Sequence, residues 1–267
     1  MIKTILLGII QGLTEFLPVS SSGHLVLSRH FLNQGESTGD LSLEVFLHLG
    51  SLLAVFIFFR KEISALFMSL FKWDKSEKSI EHHQQIFYIL IATAVTGIIG
   101  LSFKDLIENL FSNAILVAIF LSVTGIIIFF SDKIRTGQLK SGEIGFFRAL
   151  FIGLGQAIAI TPGISRSGTT IAFSLFSGMK REEAASFSFL LSIPAILGAN
   201  IMEFESLSTL NMADLVNYLA GFIAAFISGY LVIGFLLKMI QKAQLKYFAF
   251  YCWAISLISI ILLLAGL

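Results

Sequence analysis

Cysteine, charge and proline are what this 267-residue chain has least of. Its one cysteine, Cys252, lies in an apolar run, which excludes an intramolecular disulfide and a metal site built on thiolates. Charged residues make up 13% of the chain, half the ~25% of a soluble domain. Too little polar surface remains to face water on every side, so a soluble globular protein is excluded. Hydrophobic residues reach 56% and mean hydropathy is +0.88. Several apolar runs approach the ~20 residues that span a bilayer as helix. The expected fold class is an all-α polytopic membrane protein, a single membrane domain over 1–267. A net charge of +1 gives no reason to expect a nucleic-acid partner.

Proline occurs three times, and two of the three open the most polar stretches, Pro18-Val-Ser-Ser-Ser-Gly-His24 and Pro162-Gly-Ile-Ser-Arg-Ser-Gly168. Each breaks a hydrophobic run, offers hydroxyls and a glycine, and gives way to another apolar run. Polar, irregular backbone inside oily sequence is costly and marks function. The N-terminus starts like a signal peptide, with Lys3 before the apolar run Ile5 to Ile10. Gln11 and Glu15 interrupt that run and no small-residue cleavage site follows, so the segment is expected to be retained.

Six spanning helices are expected, at about 42–60, 85–103, 113–131, 184–203, 215–238 and 246–266. Arg60, Lys61, Lys72, Lys75, Lys78, Lys133, Arg135, Lys140, Arg148, Lys180, Arg181, Lys238, Lys242 and Lys246 hold 14 of the 18 basic charges and cluster in four connecting regions. Cytoplasmic loops collect such residues. The segments 33–41, 104–112 and 204–214 carry only Lys104, beside Glu36, Asp40, Asp105, Glu108, Glu205 and Asp214. With the basic loops inside, residues 148 and 180 share one side, so 147–178 is expected to be a re-entrant pair of half-helices. The stretch 2–32 is expected to be its counterpart, entering from outside with both termini outside; Lys3 counts against that placement, and a first span that crosses fully is the alternative.

The two stretches align without a gap at an offset of 145: Gly8 with Gly153, Gln11 with Gln156, Ser20 with Ser165, Ser21 with Arg166, Ser22 with Ser167 and Gly23 with Gly168. Only the prolines slip by one. The architecture expected is thus six transmembrane helices plus two re-entrant broken-helix hairpins in an inverted-topology repeat, repeat one about 1–131 and repeat two about 146–267. In such plans the broken helices meet near the midplane and form the site.

A half-helix starting at Ser20–Ser22 points free backbone N–H groups and a positive dipole end at the break. One starting at Ser165–Ser167 does the same from the other repeat. Two such ends, with glycines allowing close approach, make an anion site, and Arg166 adds a charge with fork geometry suited to phosphate. Phosphate or pyrophosphate is the natural guest. Gln11 and Glu15 share a helical face before the first break. Glu15 could hold a divalent cation that bridges pyrophosphate oxygens, act as a general base, or orient a histidine. His24 could activate a serine, protonate a leaving phosphate or attack phosphorus itself. Glu44, His48, Asn200 and Glu203 are polar groups in apolar surroundings that suit a cavity lining, with no motif to assign them a role. His82 and His83 are read as solvated.

With these residues in view, Gln11-Gly-Leu-Thr-Glu15-Phe-Leu-Pro-Val-Ser-Ser-Ser-Gly-His24 and Pro162-Gly-Ile-Ser-Arg-Ser-Gly168-Thr-Thr170 closely resemble the motifs of the bacterial undecaprenyl-diphosphate phosphatase family, the bacitracin-resistance membrane proteins. The resemblance covers essentially the whole chain. It implies a phosphatase of the bacterial inner membrane that converts the C55 isoprenoid diphosphate carrying cell-wall precursors to its monophosphate, with a lipid-diphosphate substrate and the bilayer as partners. It implies catalytic roles for Glu15, Ser21, His24 and Arg166, the nucleophile being Ser21 or His24. It implies phosphate contacts from Arg166, Ser165 and Thr170 and metal or acid–base work for Glu15 and Gln11, and the helix-start reading adds Gln11, Ser20, Ser22, Gly23, Ser167 and Gly168 as expected substrate contacts. It also implies a divalent cation, Mg²⁺ or Ca²⁺, with Glu15 as principal ligand, because position 11, often Glu in the family, is Gln here. The cavity is expected to open outward, and a homo-oligomer is compatible with the sequence. The rival reading is a transporter or flippase for an anionic lipid or solute, since fold alone does not fix function.

Overall fold

A computed structural model describes residues 1–31, 41–71, 76–134, 137–202 and 214–266, the side chain of Leu41 excepted. The elements are α1 (Ile2–Phe16), α2 (Ser21–Phe31), α3 (Leu41–Phe58), α4 (Arg60–Phe71), α5 (Glu77–Ser102), α6 (Lys104–Phe111), α7 (Ala114–Asp132), a 3-10 turn (Ser141–Glu143), α8 (Phe146–Ile158), α9 (Arg166–Phe176), α10 (Arg181–Met202), α11 (Leu215–Gln241) and α12 (Lys246–Leu264). Among the described residues the β pairing is confined to one bridge, Leu139 with Met179. The chain is a multi-pass helical membrane protein. Helices α5, α7, α10, α11 and α12 are each long and apolar enough to cross a bilayer, and α3 makes a sixth when taken with α4, from which it is bent by 78°.

All six expected spans coincide with helices, and both polar stretches fall at breaks between helix pairs, α1/α2 and α8/α9. Two helices were not expected. The basic region after residue 60 contains α4, which buries Leu66 and Ser69 and turns Phe67, Met68 and Phe71 outward. The region 104–112 contains α6, whose Lys104 and Glu108 pair at 3.6 Å one turn apart. The segments expected at 33–41 and 204–214 lie almost wholly outside the described residues, as do Glu36, Asp40, Lys72, Lys75, Arg135, Glu203 and Glu205.

The basic regions do gather at one end. There Arg181 bonds Asp132, whose other carboxylate oxygen accepts from the Lys246 amide at 3.1 Å. Lys140 reaches Glu81 at 3.1 Å, and the Ser141 amide and hydroxyl both donate to Glu183 at 3.0 and 2.8 Å. The hydrogen bond and charge of Glu81 raise the Lys140 pKa above the usual lysine value.

Each broken pair is seated on helices from the other half of the chain. α1 packs against α11, and α8 packs against α5. Helix association in lipid has no hydrophobic driving force, so small residues that let backbones approach carry the packing. A Cβ on Gly8 would lie 2.4 Å from the Gly221 carbonyl oxygen, and one on Gly12 would lie 2.1 Å from the Ser228 hydroxyl. On α8, a Cβ on Gly153 would lie 2.8 Å from the Ala92 Cα. Gly12→Val is therefore expected to wedge α1 off α11 and cost about 1–3 kcal/mol of stability, read as a lowered unfolding midpoint in detergent.

α7 and α12 pair through hydroxyls and an indole. Ser122 and Ser256 share a hydrogen bond of 2.7 Å, and Trp253 Nε1 donates to the Ser122 carbonyl at 3.1 Å. From this pair, Thr124 Oγ1 donates to the Gly163 carbonyl at 2.8 Å and Cys252 Sγ to the Pro18 carbonyl at 3.7 Å. Each helix thus grips one of the two breaks.

Candidate active site

Both breaks are built alike. Ser20 Oγ accepts the Gly23 amide at 3.2 Å ahead of α2, and Ser165 Oγ accepts the Gly168 amide at 3.1 Å ahead of α9. Such a serine satisfies one of the donors a helix start leaves open. A hydroxyl two residues on leans on the first in each turn, Ser22 on Ser20 at 3.3 Å and Ser167 on Ser165 at 3.2 Å. The breaks also touch. Ser167 Oγ donates to the Leu17 carbonyl at 3.0 Å. A Cβ on Gly23 would meet Gly163 at 3.1 Å, and one on Gly168 would meet Pro18 at 3.1 Å. These glycines let the two helix starts come together.

The meeting point is Glu15, in the last turn of α1 and 6% exposed. Arg166 Nη2 donates to its Oε1 at 2.7 Å. Ser21 Oγ donates to Oε2 at 2.7 Å, and the Gln11 amide donates to the same oxygen at 2.9 Å. Ser21 and Arg166 are the first residues of α2 and α9, so the starts of these two helices converge on one carboxylate. A buried carboxylate is tolerable only with such partners.

The other expected site residues are placed as follows. Ser20, Ser165, Ser167 and Gly168 are buried in the two turns, while Ser22, Ser21 and Arg166 are partly exposed. Thr170 is fully buried, with its hydroxyl committed inside the protein. Its hydroxyl donates to the Arg166 carbonyl at 2.8 Å and shares a short hydrogen bond with Ser188 of α10. His24 turns its Nδ1 to the Ser20 carbonyl at 2.8 Å and its Nε2 to the Tyr251 hydroxyl at 2.9 Å. The structure thus joins Glu15, Ser21, Arg166 and Gln11, and turns His24 to Ser20 and Tyr251.

Two residues at the site had no assigned role in the sequence. His48 Nε2 lies 3.9 Å from Glu15 Oε2, held by its Nδ1 bond to the Glu44 carbonyl at 3.0 Å. Glu44 itself pairs with Arg29 of α2. Tyr251 comes from α12, and no spacing rule connects it to His24, 227 residues away. His48 did carry a signal, as an ionisable side chain inside an apolar span. Asn200 is buried and spends its amide on the Ile196 carbonyl at 2.9 Å.

The family profile of bacitracin resistance protein BacA matches residues 4–258. The chain belongs to that family. It is 43% identical over 267 residues to a protein of Methanobrevibacter smithii named undecaprenyl-diphosphatase, covering 96% of this chain and 95% of that one. A protein of Desulforapulum autotrophicum with the same name is 44% identical over 268 residues, with 96% of each chain covered. Another, from Alkaliphilus metalliredigens, is 41% identical over 268 residues, with 97% of each covered. The family read from the two motifs is the family matched.

Whether this BacA-family site suits a divalent cation can be judged from its donors. Among the described residues no three His, Cys, Asp or Glu side chains cluster as a metal cage. One buried oxygen is nevertheless left over: Gln11 Oε1 has no hydrogen-bond partner, its amide nitrogen being committed to Glu15. Mg²⁺ is usually held by one or two carboxylates with substrate phosphates and waters supplying the other oxygens. The oxygens this site has to offer such a cation are the Glu15 carboxylate, which already takes three donors, and the unpartnered Gln11 Oε1.

Proposed function

We propose that the chain hydrolyses undecaprenyl diphosphate to the monophosphate and phosphate at the junction of the two breaks, as an integral-membrane phosphatase that recycles the cell-wall carrier lipid. Family membership and the relatives' shared name support the substrate. The observation that carries the site is Glu15, whose carboxylate takes hydrogen bonds from Ser21 and Arg166 at 2.7 Å each, where two helix N-termini meet.

The diphosphate head sits between the starts of α2 and α9, and its tail leaves into lipid. Backbone N–H groups and the Arg166 guanidinium stabilise charge growing on the phosphoryl oxygens. Ser21 Oγ attacks the terminal phosphorus while Glu15 takes its proton. The bond from phosphorus to the bridging oxygen breaks, and prenyl monophosphate leaves. Water then cleaves the phosphoserine, restoring Ser21. The engagement of both His24 nitrogens favours Ser21 over His24 as nucleophile. A cation, Mg²⁺ or Ca²⁺, held by Glu15 and Gln11 Oε1, would supply further neutralisation of the diphosphate.

Several contacts support an inverted repeat with two re-entrant pairs, repeat one about 1–131 and repeat two about 146–267. Gly8 against α11 is matched by Gly153 against α5, and the caps of Ser20 and Ser165 are matched bond for bond. Cys252 on Pro18 is matched by Thr124 on Gly163, and Pro18 and Gly163 are themselves 145 apart. The first break lies on the half that the charge pattern brings in from outside, which favours a cavity opening outward from the cytoplasmic membrane.

The decisive measurement is inorganic phosphate release from undecaprenyl diphosphate by the purified chain in detergent, where no two-sided membrane exists. Release is expected; a carrier would give none. Phosphate captured on the enzyme during turnover should be acid-stable, as on serine, and map to Ser21. An acid-labile adduct at residue 24 would transfer the attack to His24.

A further inference from the structure

The two breaks are near copies, so the places where they differ separate scaffold from chemistry. Glu15 has Ile160 at its equivalent position, Ser21 has Arg166, and His24 has Thr169. The contacts of Cys252 and Thr124 set α12 and α7 in register 128 residues apart, which makes Val123 the equivalent of Tyr251. The His24–Tyr251 pair therefore belongs to the first break alone. At the second break the buried Thr169 hydroxyl has no hydrogen-bond partner.

A backbone difference accompanies it. Ser20 has φ +67°, whereas Ser165 has φ −71°. Among the described residues only Ser20 and Ala243 combine a side chain with positive φ, a region L-residues rarely enter. Such conformations persist when their surroundings over-determine them. His24 Nδ1 faces the Ser20 carbonyl, so that nitrogen carries the hydrogen. Nε2 is then an acceptor in the neutral ring and takes the Tyr251 O–H. The rings are also parallel, 6° apart in plane with centroids at 5.6 Å.

We infer that Tyr251 is a positioning residue for the reaction: its phenol braces His24, and His24 braces the left-handed Ser20 that presents the Ser21 hydroxyl to Glu15. The inference rests on the reading of Ser21 as a reacting group. Tyr251 acts from the last helix of the second half on the first break, and the unstrained second break has no such brace.

The test is a double-mutant cycle in Tyr251→Phe and His24→Gln, read as phosphate release from undecaprenyl diphosphate in detergent, with Ser21→Ala alongside. Phe keeps the ring and removes only the hydroxyl, and an unchanged unfolding midpoint verifies folding. Tyr251→Phe is expected to lower kcat about 10- to 10²-fold through misplacement, with KM nearly unchanged, and to add nothing in the His24→Gln background. Tyr247→Phe, one turn away, should match the parent. Additive losses, or a parent-like Tyr251→Phe, would overturn the brace while leaving the site reading intact. Phosphate release surviving in Ser21→Ala would overturn the site reading, and the brace with it.

Discussion

Glu15→Gln is expected to lower kcat for phosphate release by about 10³-fold, within the 10²–10⁴ range attributed to a positioned base. Glutamine keeps the shape of the side chain, so α1 should keep its packing on α11, while an Arg166 left without its carboxylate lowers the unfolding midpoint and kcat is therefore compared on enzyme verified as folded. What it loses is one of the two acceptor oxygens, which together serve Ser21 at 2.7 Å, Gln11 at 2.9 Å and Arg166 at 2.7 Å, along with the negative charge and the basicity. The Ser21 proton then has no base to receive it. Arg166 is released from its ion pair and remains free to hold phosphate, so KM should rise far less than kcat falls. Steady-state kinetics in detergent decide the matter, and a kcat within tenfold of the parent would remove Glu15 from the proton transfer.

The largest loss of stability is expected away from this site, at Arg181. Its side chain is 7% exposed and that of Asp132 is 6%. The guanidinium bonds Asp132 Oδ1 at 3.3 Å, the Asp132 carbonyl at 2.9 Å and the Ile134 carbonyl at 3.0 Å, closing the end of α7. Arg181→Ala strands a buried carboxylate and two carbonyls, and breaking a buried pair in this way costs about 3–5 kcal/mol. Replacing both partners with apolar residues, Arg181→Met with Asp132→Leu, should recover a large part, because no lone charge remains. Thermal unfolding in detergent measures both. A double variant no more stable than Arg181→Ala alone would mean that the pair is not what holds this end.

The helices were legible because their signals are local. Apolar length marked the six spans, proline and serine marked the two breaks, and the basic residues that meet at one end were already grouped along the chain. The bent α4 and short α6 escaped because their apolar faces are brief and mixed with charge. At the site, Glu15, Ser21 and Arg166 were readable, since helical spacing and helix-start chemistry put each beside a break. His48 was readable only as a polar group suited to a cavity lining, and Tyr251 not at all, because their partners are set only when α3 and α12 pack against the first break. Thr170 shows the converse: its motif position suggested phosphate, yet its hydroxyl is consumed by Arg166 and Ser188 within the protein.

The seating of α1 on α11 has a consequence for the order in which the molecule becomes whole. Translation delivers α1 first, and its packing partner begins about 200 residues later, an interval on the order of 10–40 s at roughly 5–20 residues per second. Through that time Glu15 and Gln11 reside in a nascent helix without the helix that backs it, and for about the first 150 residues of it also without Arg166, which neutralises the carboxylate. The newborn half must be kept from wandering or being degraded until the later half arrives, so the insertion machinery and quality-control proteases face an orphan intermediate with every copy made. A ribosome pause placed before α11 would lengthen that exposure, whereas one placed after α12 would not.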